Sequence, residues 1–410
     1  MEKQSFSSKL KNMGPAAIIT SAFVGPGTIT AATLAGVNFG YELLWAVAFS
    51  VISLIILMEM SSRIGIIGNK NFMEAAIAIV PENKGWKIFV NVLVGLSVAS
   101  VAFGFEAGNI IGSSLGLGDV IGSNQLVAAL IVGILALSTV LFGSTKALEK
   151  IMLMFVSLMG VLFVVTMVFV GPSIPEIFSG IFLPTIPQGG AITTIALIGT
   201  TLIGINLILH SITSKDKWNK VSDMENAKFD IIVNVLIGGA ITISIIITSA
   251  AVLFDSGVVV DSPLVFSKQL EPVLGSWARI VGGIGIFAAG LSSAIAVPYT
   301  LGTIFSRLFG WEGGRESKQA KILGASAVIF GMVLAILNTA PIQIITAAQV
   351  TSGVSLPFIA ILLVIATNNK KLLGEHTNTL VQNILGVIAA LVTLGLGSWG
   401  LFGVITRLLG

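Results

Sequence analysis

The chain has 410 residues, of which 55% are hydrophobic and only 10% carry a charge. Soluble domains carry about 25% charged residues, so this composition excludes a disordered, fibrous or nucleic-acid-binding protein and predicts a membrane protein. The net charge is only +3 and there is no cysteine, which excludes disulfides, thiolate metal sites and cysteine nucleophiles. Residues 1–13 are polar and basic, so we expect no cleaved signal peptide.

Apolar segments follow one another along the whole chain, and each is long enough to cross a bilayer of about 30 Å. They predict an all-α, polytopic membrane protein with about 11 transmembrane helices. In chain order the segments are 14–36, 41–66, 86–116, 122–142, 148–171, 187–212, 229–254, 276–306, 319–338, 341–367 and 378–406. Two of them, 86–116 and 276–306, are long enough to tilt or to extend past the bilayer.

Basic residues test this division independently, because loops on the cytoplasmic side of a membrane are enriched in Lys and Arg. With the N-terminus in the cytoplasm and sides alternating, 19 of the 22 basic residues fall on the cytoplasmic side. The exceptions are Lys268, Arg279 and Arg407. This bias predicts a multi-pass protein of the plasma membrane with its N-terminus inside and its C-terminus outside.

Two segments contain residues that interrupt a helix: Gly25-Pro26-Gly27 in the first, and Gly199 with Gly204 in the sixth. A simple kink is one interpretation. The alternative is a pair of discontinuous helices lining a cavity, since lipid cannot satisfy the freed backbone groups. The interruptions lie five spans apart in segments of opposite direction, as in an inverted five-plus-five repeat. We therefore predict one transmembrane domain, with repeat one at 1–171, repeat two at 187–367 and an extra helix at 378–406.

Ionisable residues within membrane spans are costly and usually functional. Glu106 lies well inside the third segment, with Asn109 three residues on and on the same helix face. We consider Glu106 either a proton acceptor or a partner in a hydrogen bond to a neighbouring helix. His210, one turn after the second interruption, is either a proton relay or a packing residue.

Other polar residues in the spans have less specific interpretations. Gln349 would offer its amide to a central site or bond to another helix. Ser292 and Ser293 favour close helix packing through small residues. Glu59 and Asp230 lie near cytoplasmic ends of their spans, where we expect them to pair with cations such as Arg63 and Lys228.

Neither interruption carries a carboxylate, Met, His or Cys, although dehydrated transition-metal ions prefer such ligands. The hydroxyl, amide and backbone groups present there suit a hydrated hard cation, or a neutral or zwitterionic solute held by helix ends. Backbone or hydroxyl contacts to a cation would come from Gly25, Thr28 and Thr200. The residues expected to bind substrate are Gly25, Gly27, Thr28, Thr200, Ile203, Gly204, Asn206 and Gln349.

The order of short motifs resembles the NRAMP family of proton-coupled divalent-metal transporters, within the LeuT-fold group. The resemblance covers nearly the whole chain. It is carried by Gly14-Pro15-Ala16, Gly25-Pro26-Gly27-Thr28, Ala35-Gly36, Phe39-Gly40-Tyr41, Leu183-Pro184-Thr185-Ile186-Pro187, Gly199-Thr200-Thr201, Asn206-Leu207-Ile208-Leu209-His210-Ser211, Gly290-Leu291-Ser292-Ser293, Gln349-Val350 and Leu356-Pro357-Phe358. It implies a LeuT-type fold and alternating access, with Glu106 and His210 at positions linked to proton movement and Gln349 at the occluded site.

The family's metal-site motifs differ in this chain. Where the first helix of the family typically reads Asp-Pro-Gly-Asn, this chain reads Gly25-Pro26-Gly27-Thr28. Where the sixth helix typically reads Ala-x-x-Met-Pro-His-Asn, this chain reads Thr200-Thr201-Leu202-Ile203-Gly204-Ile205-Asn206. Asn109 also replaces the second of two acidic residues in the third helix. Some divergent branches of the family are associated with magnesium instead of iron or manganese.

We therefore expect a secondary transporter of a divalent cation, more plausibly hydrated magnesium than iron or manganese. A transporter of a small neutral or zwitterionic solute and a non-transporting membrane sensor are the alternatives. We expect no enzyme activity, because no catalytic pair or metal-ligand cluster is apparent, and no cofactor. The expected partners are the transported ion or solute, the lipid bilayer and protons, with no nucleic acid.

Overall fold

A computed structural model describes residues 14–16, 24–143, 146–337 and 340–409, and these residues form helices and loops without a strand. The α-helices of seven or more residues are α1 Pro26–Phe39, α2 Leu44–Ile66, α3 Phe72–Ala78, α4 Lys84–Ile121, α5 Gln125–Phe142, α6 Lys146–Phe169, α7 Ile174–Phe182, α8 Ala191–Thr201, α9 Gly204–Lys217, α10 Met224–Leu253, α11 Ala278–Phe309, α12 Lys318–Leu337, α13 Pro341–Thr367 and α14 Leu380–Leu409. A 3-10 helix, Pro263–Leu270, lies between α10 and α11.

Nine of the predicted spans coincide with helical stretches that are long and apolar enough to cross a membrane. The fifth predicted span, 148–171, contains a shorter apolar stretch at Val156–Phe169. The first, 14–36, is covered by the 14-residue α1 and by residues 14–16, whereas 17–23 lie outside the described residues. The all-α fold is confirmed, and the count of eleven spans stays a prediction.

Helix α4 has 38 residues, so at 1.5 Å per residue it is longer than a bilayer is thick. It packs closely along α11 through glycines, as expected for helices that associate without a hydrophobic driving force. A Cβ atom at Gly116 would lie 2.6 Å from the carbonyl oxygen of Gly283, and one at Gly290 would lie 2.7 Å from that of Asn109. These two helices therefore form a tightly packed wall beside the centre of the bundle.

The sixth predicted span is discontinuous. Helix α8 ends at Thr201, Leu202 and Ile203 have non-helical backbone, and α9 begins at Gly204. In the first span, Val24 and Gly25 are also outside a helix, and α1 begins with Pro26 at its first position. The missing N–H of proline costs nothing at that position, so the Gly-Pro pair starts a helix here instead of bending one.

The expected pairing of Glu59 is confirmed. Its carboxylate lies 3.0 Å from Arg63 Nε and 3.5 Å from Lys228 Nζ. The Arg63 guanidinium also donates to the carbonyl oxygen of His376 at 2.9 Å and to Asn378 at 2.6 Å. This network ties α2 to the loop that precedes α14.

The position of Asp230 at the membrane interface stays a prediction, and its partners include backbone groups that the sequence did not suggest. Its side chain is fully buried and accepts hydrogen bonds from the N–H groups of Gly14, at 3.1 Å, and Ala16, at 2.9 Å. The amide of Asn234 donates to the same carboxylate at 2.8 Å. Because these donors satisfy the carboxylate inside the protein, Asp230 anchors the start of the first span to α10.

Candidate functional site

The two interruptions meet in the interior of the bundle. The hydroxyl groups of Thr28, in the first turn of α1, and Thr200, in the last turn of α8, lie 2.6 Å apart and share a hydrogen bond. Both side chains are buried. These two predicted site residues are 172 positions apart in the sequence, and the fold brings them into direct contact.

Helix ends surround this contact. Gly25 immediately precedes α1 and Ile203 immediately precedes α9, and neither helix start has a side-chain cap. The first N–H groups of a helix have no partner within it and carry partial positive charge, whereas the last carbonyl groups carry partial negative charge. The carboxyl end of α8 adjoins the start of α9. The site therefore offers both signs of partial charge without an ionised side chain.

Gln349 of α13 reaches the first interruption. A Cβ atom at Gly27 would lie 2.0 Å from Gln349 Nε2, so a side chain at position 27 would displace this amide. The backbone of Gln349 is close to α8 as well, because a Cβ at Gly199 would lie 2.0 Å from its carbonyl oxygen. Gln349 Oε1 is buried and has no hydrogen-bond partner in the described part of the chain.

The remaining predicted residues of the second interruption are buried and have different surroundings. Asn206, in the first turn of α9, has a buried Nδ2 without a partner among the described residues. Gly204 packs against α13 instead, where a Cβ would lie 2.4 Å from Ile359 Cδ1. Ile203 contributes extended backbone, with φ −101° and ψ 114°.

Two further residues lie beside the first interruption and were not predicted to bind substrate. A Cβ atom at Gly25 would lie 3.0 Å from Ser293 Oγ and 3.6 Å from Asn109 Oδ1. We expected Ser292 and Ser293 to serve helix packing. The hydroxyl of Ser292 donates to the carbonyl oxygen of Ala289 at 3.1 Å, within its own helix. The sequence held no signal to separate the two serines, since only the rotation of α11 distinguishes them.

Glu106 lies one helical turn before Asn109 and is fully buried. Neither of its carboxylate oxygens has a hydrogen-bond partner within the described residues. The helix that faces its backbone is α12, where a Cβ at Gly331 would lie 2.8 Å from the Glu106 carbonyl oxygen. The membrane-spanning part of α12 contains no Lys or Arg after Lys321.

His210 occupies the other side of the second interruption, on α9. Its Nε2 lies 2.8 Å from Ser62 Oγ of α2, which in turn lies 3.4 Å from Ser214 Oγ. The imidazole is fully buried, and its Nδ1 has no partner in the part of the chain that is described. One ring nitrogen is thus held in place, while the other is buried and has no partner among the described residues.

Within the described residues, no three His, Cys, Asp or Glu side chains lie close enough together to hold a metal ion. The centre of the bundle instead combines hydroxyls, amides and helix ends. Such groups do not replace the water shell of a transition-metal ion well, because those ions prefer imidazole, thioether or carboxylate. They can orient water molecules or hold a polar solute.

The chain is similar to known proteins over nearly its whole length. Residues 16–403 match the family model described as natural resistance-associated macrophage protein-like. A divalent metal cation transporter, MntH, of Klebsiella pneumoniae is 25% identical over 408 residues, covering 96% of this chain and 94% of that protein. The MntH of Yersinia pestis is 25% identical over 399 residues, covering 95% and 94%.

Solved structures share the fold. A manganese transporter of Eremococcus coleocola superposes with a TM-score of 0.81 at 17% identity, covering 97% of this chain and 87% of that one. MhsT in complex with L-phenylalanine superposes with a TM-score of 0.61 at 18% identity, covering 93% and 96%. The fold is therefore of the LeuT type, and the chain belongs to the natural resistance-associated macrophage protein family of membrane transporters.

Proposed function

We propose that this protein carries a divalent cation across the plasma membrane, and that it prefers hydrated magnesium to iron or manganese. The family and the MntH relatives support divalent-cation transport. The observation that carries the magnesium preference is the chemistry where the two interruptions meet: a Thr28–Thr200 hydroxyl pair, with no cluster of acidic or imidazole ligands among the described residues.

Magnesium loses its water reluctantly and usually keeps several water molecules when a protein binds it. A hydrated ion presents water hydrogens outward, and these need acceptors such as hydroxyl, amide and carbonyl oxygens. Thr28 and Thr200 supply hydroxyl oxygens, Gln349 supplies an unpartnered Oε1, and the carboxyl end of α8 supplies carbonyl oxygens. Manganese and iron gain more from direct nitrogen, sulfur or carboxylate ligands, and the residues described here form no cluster of His, Cys, Asp or Glu.

Transport would proceed by alternating access. In this proposal the two repeats, 1–171 and 187–367, rock against each other around the site, while α14 lies outside the repeats. The N-terminus would face the cytoplasm and the C-terminus the outside, in keeping with the distribution of Lys and Arg. The interruptions at Gly25 and Ile203 would act as hinges, because non-helical backbone absorbs changes in dihedral angle.

Proton coupling would use Glu106 and His210. A carboxyl group buried in the bundle without a partner is costly while it is charged, so its charge would be expected to change during the cycle. His210 has one nitrogen held by Ser62 and the other without a partner among the described residues, which is the arrangement a proton relay needs. The two groups lie on different helices, α4 and α9, that flank the interruptions.

A second candidate substrate is a small zwitterion, because two uncapped helix starts, those of α1 and α9, lie at the interruptions. The partial positive charge at such ends favours a carboxylate. The structural neighbour MhsT was solved with L-phenylalanine, which carries a carboxylate. This candidate would make the protein a solute carrier on the same fold.

Thermal melting of the purified protein tests the assignment, because a ligand of the native state raises the melting temperature. We expect Mg²⁺ to raise the melting temperature in a saturable manner, and Mn²⁺ to do so less at equal concentration. Neutral amino acids should have no effect. A saturable shift with an amino acid and none with either metal ion would favour the zwitterion and reject the cation.

A further inference from the structure

The environment of Gly25 differs from that of the other residues at the interruptions. The hydroxyl groups of Thr28 and Thr200 are hydrogen-bonded to each other. Gly25 has no side chain, and two polar atoms lie where a side chain would begin. A Cβ atom at Gly25 would lie 3.0 Å from Ser293 Oγ and 3.6 Å from Asn109 Oδ1. Polar groups of α4 and α11 therefore occupy the direction in which a side chain at position 25 would point.

Both residues have unused hydrogen-bonding capacity. Asn109 is 4% exposed and its Nδ2 has no partner among the described residues, and Ser293 is 1% exposed with an Oγ in the same condition. A buried polar group without a partner is destabilising, so its presence in a native protein calls for an explanation. Two of them side by side, next to an uncapped helix start, point to a ligand.

The packing of α4 on α11 fixes the positions of these side chains. Gly290 lets the two backbones approach so closely that a Cβ there would lie 2.6 Å from Ser113 Cβ. Ser113 Oγ also donates to the carbonyl oxygen of Phe287 at 2.8 Å across the same contact. Rigid helices hold Asn109 and Ser293 more accurately than loops would, as a binding site requires.

We propose that Asn109 and Ser293 form a neutral subsite beside Gly25 that contacts the water shell of the transported ion. This inference rests on the proposed function and extends it, because it names the groups that take the place of a side chain at position 25. An amide and a hydroxyl bind water molecules without displacing them. The subsite thus favours an ion that keeps its water over one that exchanges water for a carboxylate.

Two substitutions test the subsite by equilibrium binding of Mg²⁺ and Mn²⁺ to purified protein. Asn109→Asp places a carboxylate beside Gly25, and we expect it to tighten Mn²⁺ binding by about tenfold relative to Mg²⁺. Ser293→Ala should weaken Mg²⁺ binding severalfold. Ser292→Ala is the matched control, because that neighbouring hydroxyl bonds to its own helix, and it should bind both ions as the wild type does.

A second measurement does not depend on the stability of these variants. The chain has no cysteine, so Ser293→Cys introduces a single thiol, and Ser292→Cys is its control. Saturating Mg²⁺ should slow alkylation of the thiol at position 293 and leave that at 292 unchanged. Mg²⁺ binding by the wild type, with unchanged affinities in Asn109→Asp and Ser293→Ala and no protection at 293, would overturn the subsite alone. A wild type that binds no divalent cation would overturn both the proposed function and the subsite.

Discussion

At the residue scale, the main feature of the protein is which polar side chains have partners. Thr28, Thr200 and Asp230 are buried and hydrogen-bonded, whereas Glu106 is buried without a partner among the described residues. A buried carboxylate usually has donors around it, as Asp230 does. Glu106 therefore differs from an ordinary structural carboxylate, and for this reason we propose that its charge changes during transport.

The variant Glu106→Gln tests that role, because glutamine keeps the shape of the side chain and cannot take up a proton. We expect transport to lose its dependence on pH while the affinity for Mg²⁺ stays within about twofold of wild type, since no contact to the ion is removed. The measurement is uptake into proteoliposomes at several pH values, beside binding in detergent. Unchanged pH dependence would exclude Glu106 as the proton carrier.

Much of the site's composition was predictable from the sequence, but its geometry was not. The Gly-Pro-Gly motif and the paired glycines located both interruptions, and the lack of ligands there was visible without a structure. The hydrogen bond between Thr28 and Thr200 depends on contact between distant helices, which no local pattern encodes. The sequence also could not predict the rotation of α11, which turns Ser293 and not Ser292 toward Gly25.

At the element scale, close contacts between α8 and α13 shape the site. Gly199 of α8 lies against the backbone of α13, where a Cβ would be 2.0 Å from the Gln349 carbonyl oxygen and 3.0 Å from the Gly353 nitrogen. Backbone atoms cannot move aside as the end of a side chain can. The distance between these two helices is therefore set by glycine, and it holds Gln349 near Gly27.

The variant Gly199→Ala should force the two helices apart. We expect it to destabilise the protein by about 1–3 kcal/mol, the usual cost of overpacking, and to weaken Mg²⁺ binding. The matched control is Gly395→Ala on α14, where nothing lies within 4 Å of the added atom. Because alanine favours helices over glycine, the control should be neutral or stabilising by up to about 1 kcal/mol. Equal melting temperatures for the two variants would show that the α8–α13 contact is not tight.

Helix positions were predicted well because hydropathy alone defines a membrane span. Nine predicted segments correspond to long apolar helices. The short helices α3 and α7 were not predicted, because each is too short and too mixed in polarity to be recognised by hydropathy. Arg63 links α2 to the loop before α14. The sequence predicted its ion pair with Glu59 but not its hydrogen bonds to His376 and Asn378.

At the scale of the whole molecule, the protein has the fold of a manganese transporter, and its centre holds hydroxyl and amide groups. The fold matches a manganese transporter with a TM-score of 0.81, and the interruptions of this chain carry hydroxyl and amide groups and no acidic or sulfur side chain in their sequence. One fold can carry sites of different chemistry, because function depends on the site and not on the fold. The substrate must therefore be decided by measurement on this protein.

Uptake of divalent cations into proteoliposomes that contain the purified protein is the most direct test of a carrier for hydrated magnesium. The account predicts saturable entry of Mg²⁺, with Mn²⁺ and Fe²⁺ transported less efficiently and empty liposomes showing neither. Absence of Mg²⁺ entry, together with saturable entry of a labelled amino acid or efficient entry of Mn²⁺, would contradict it.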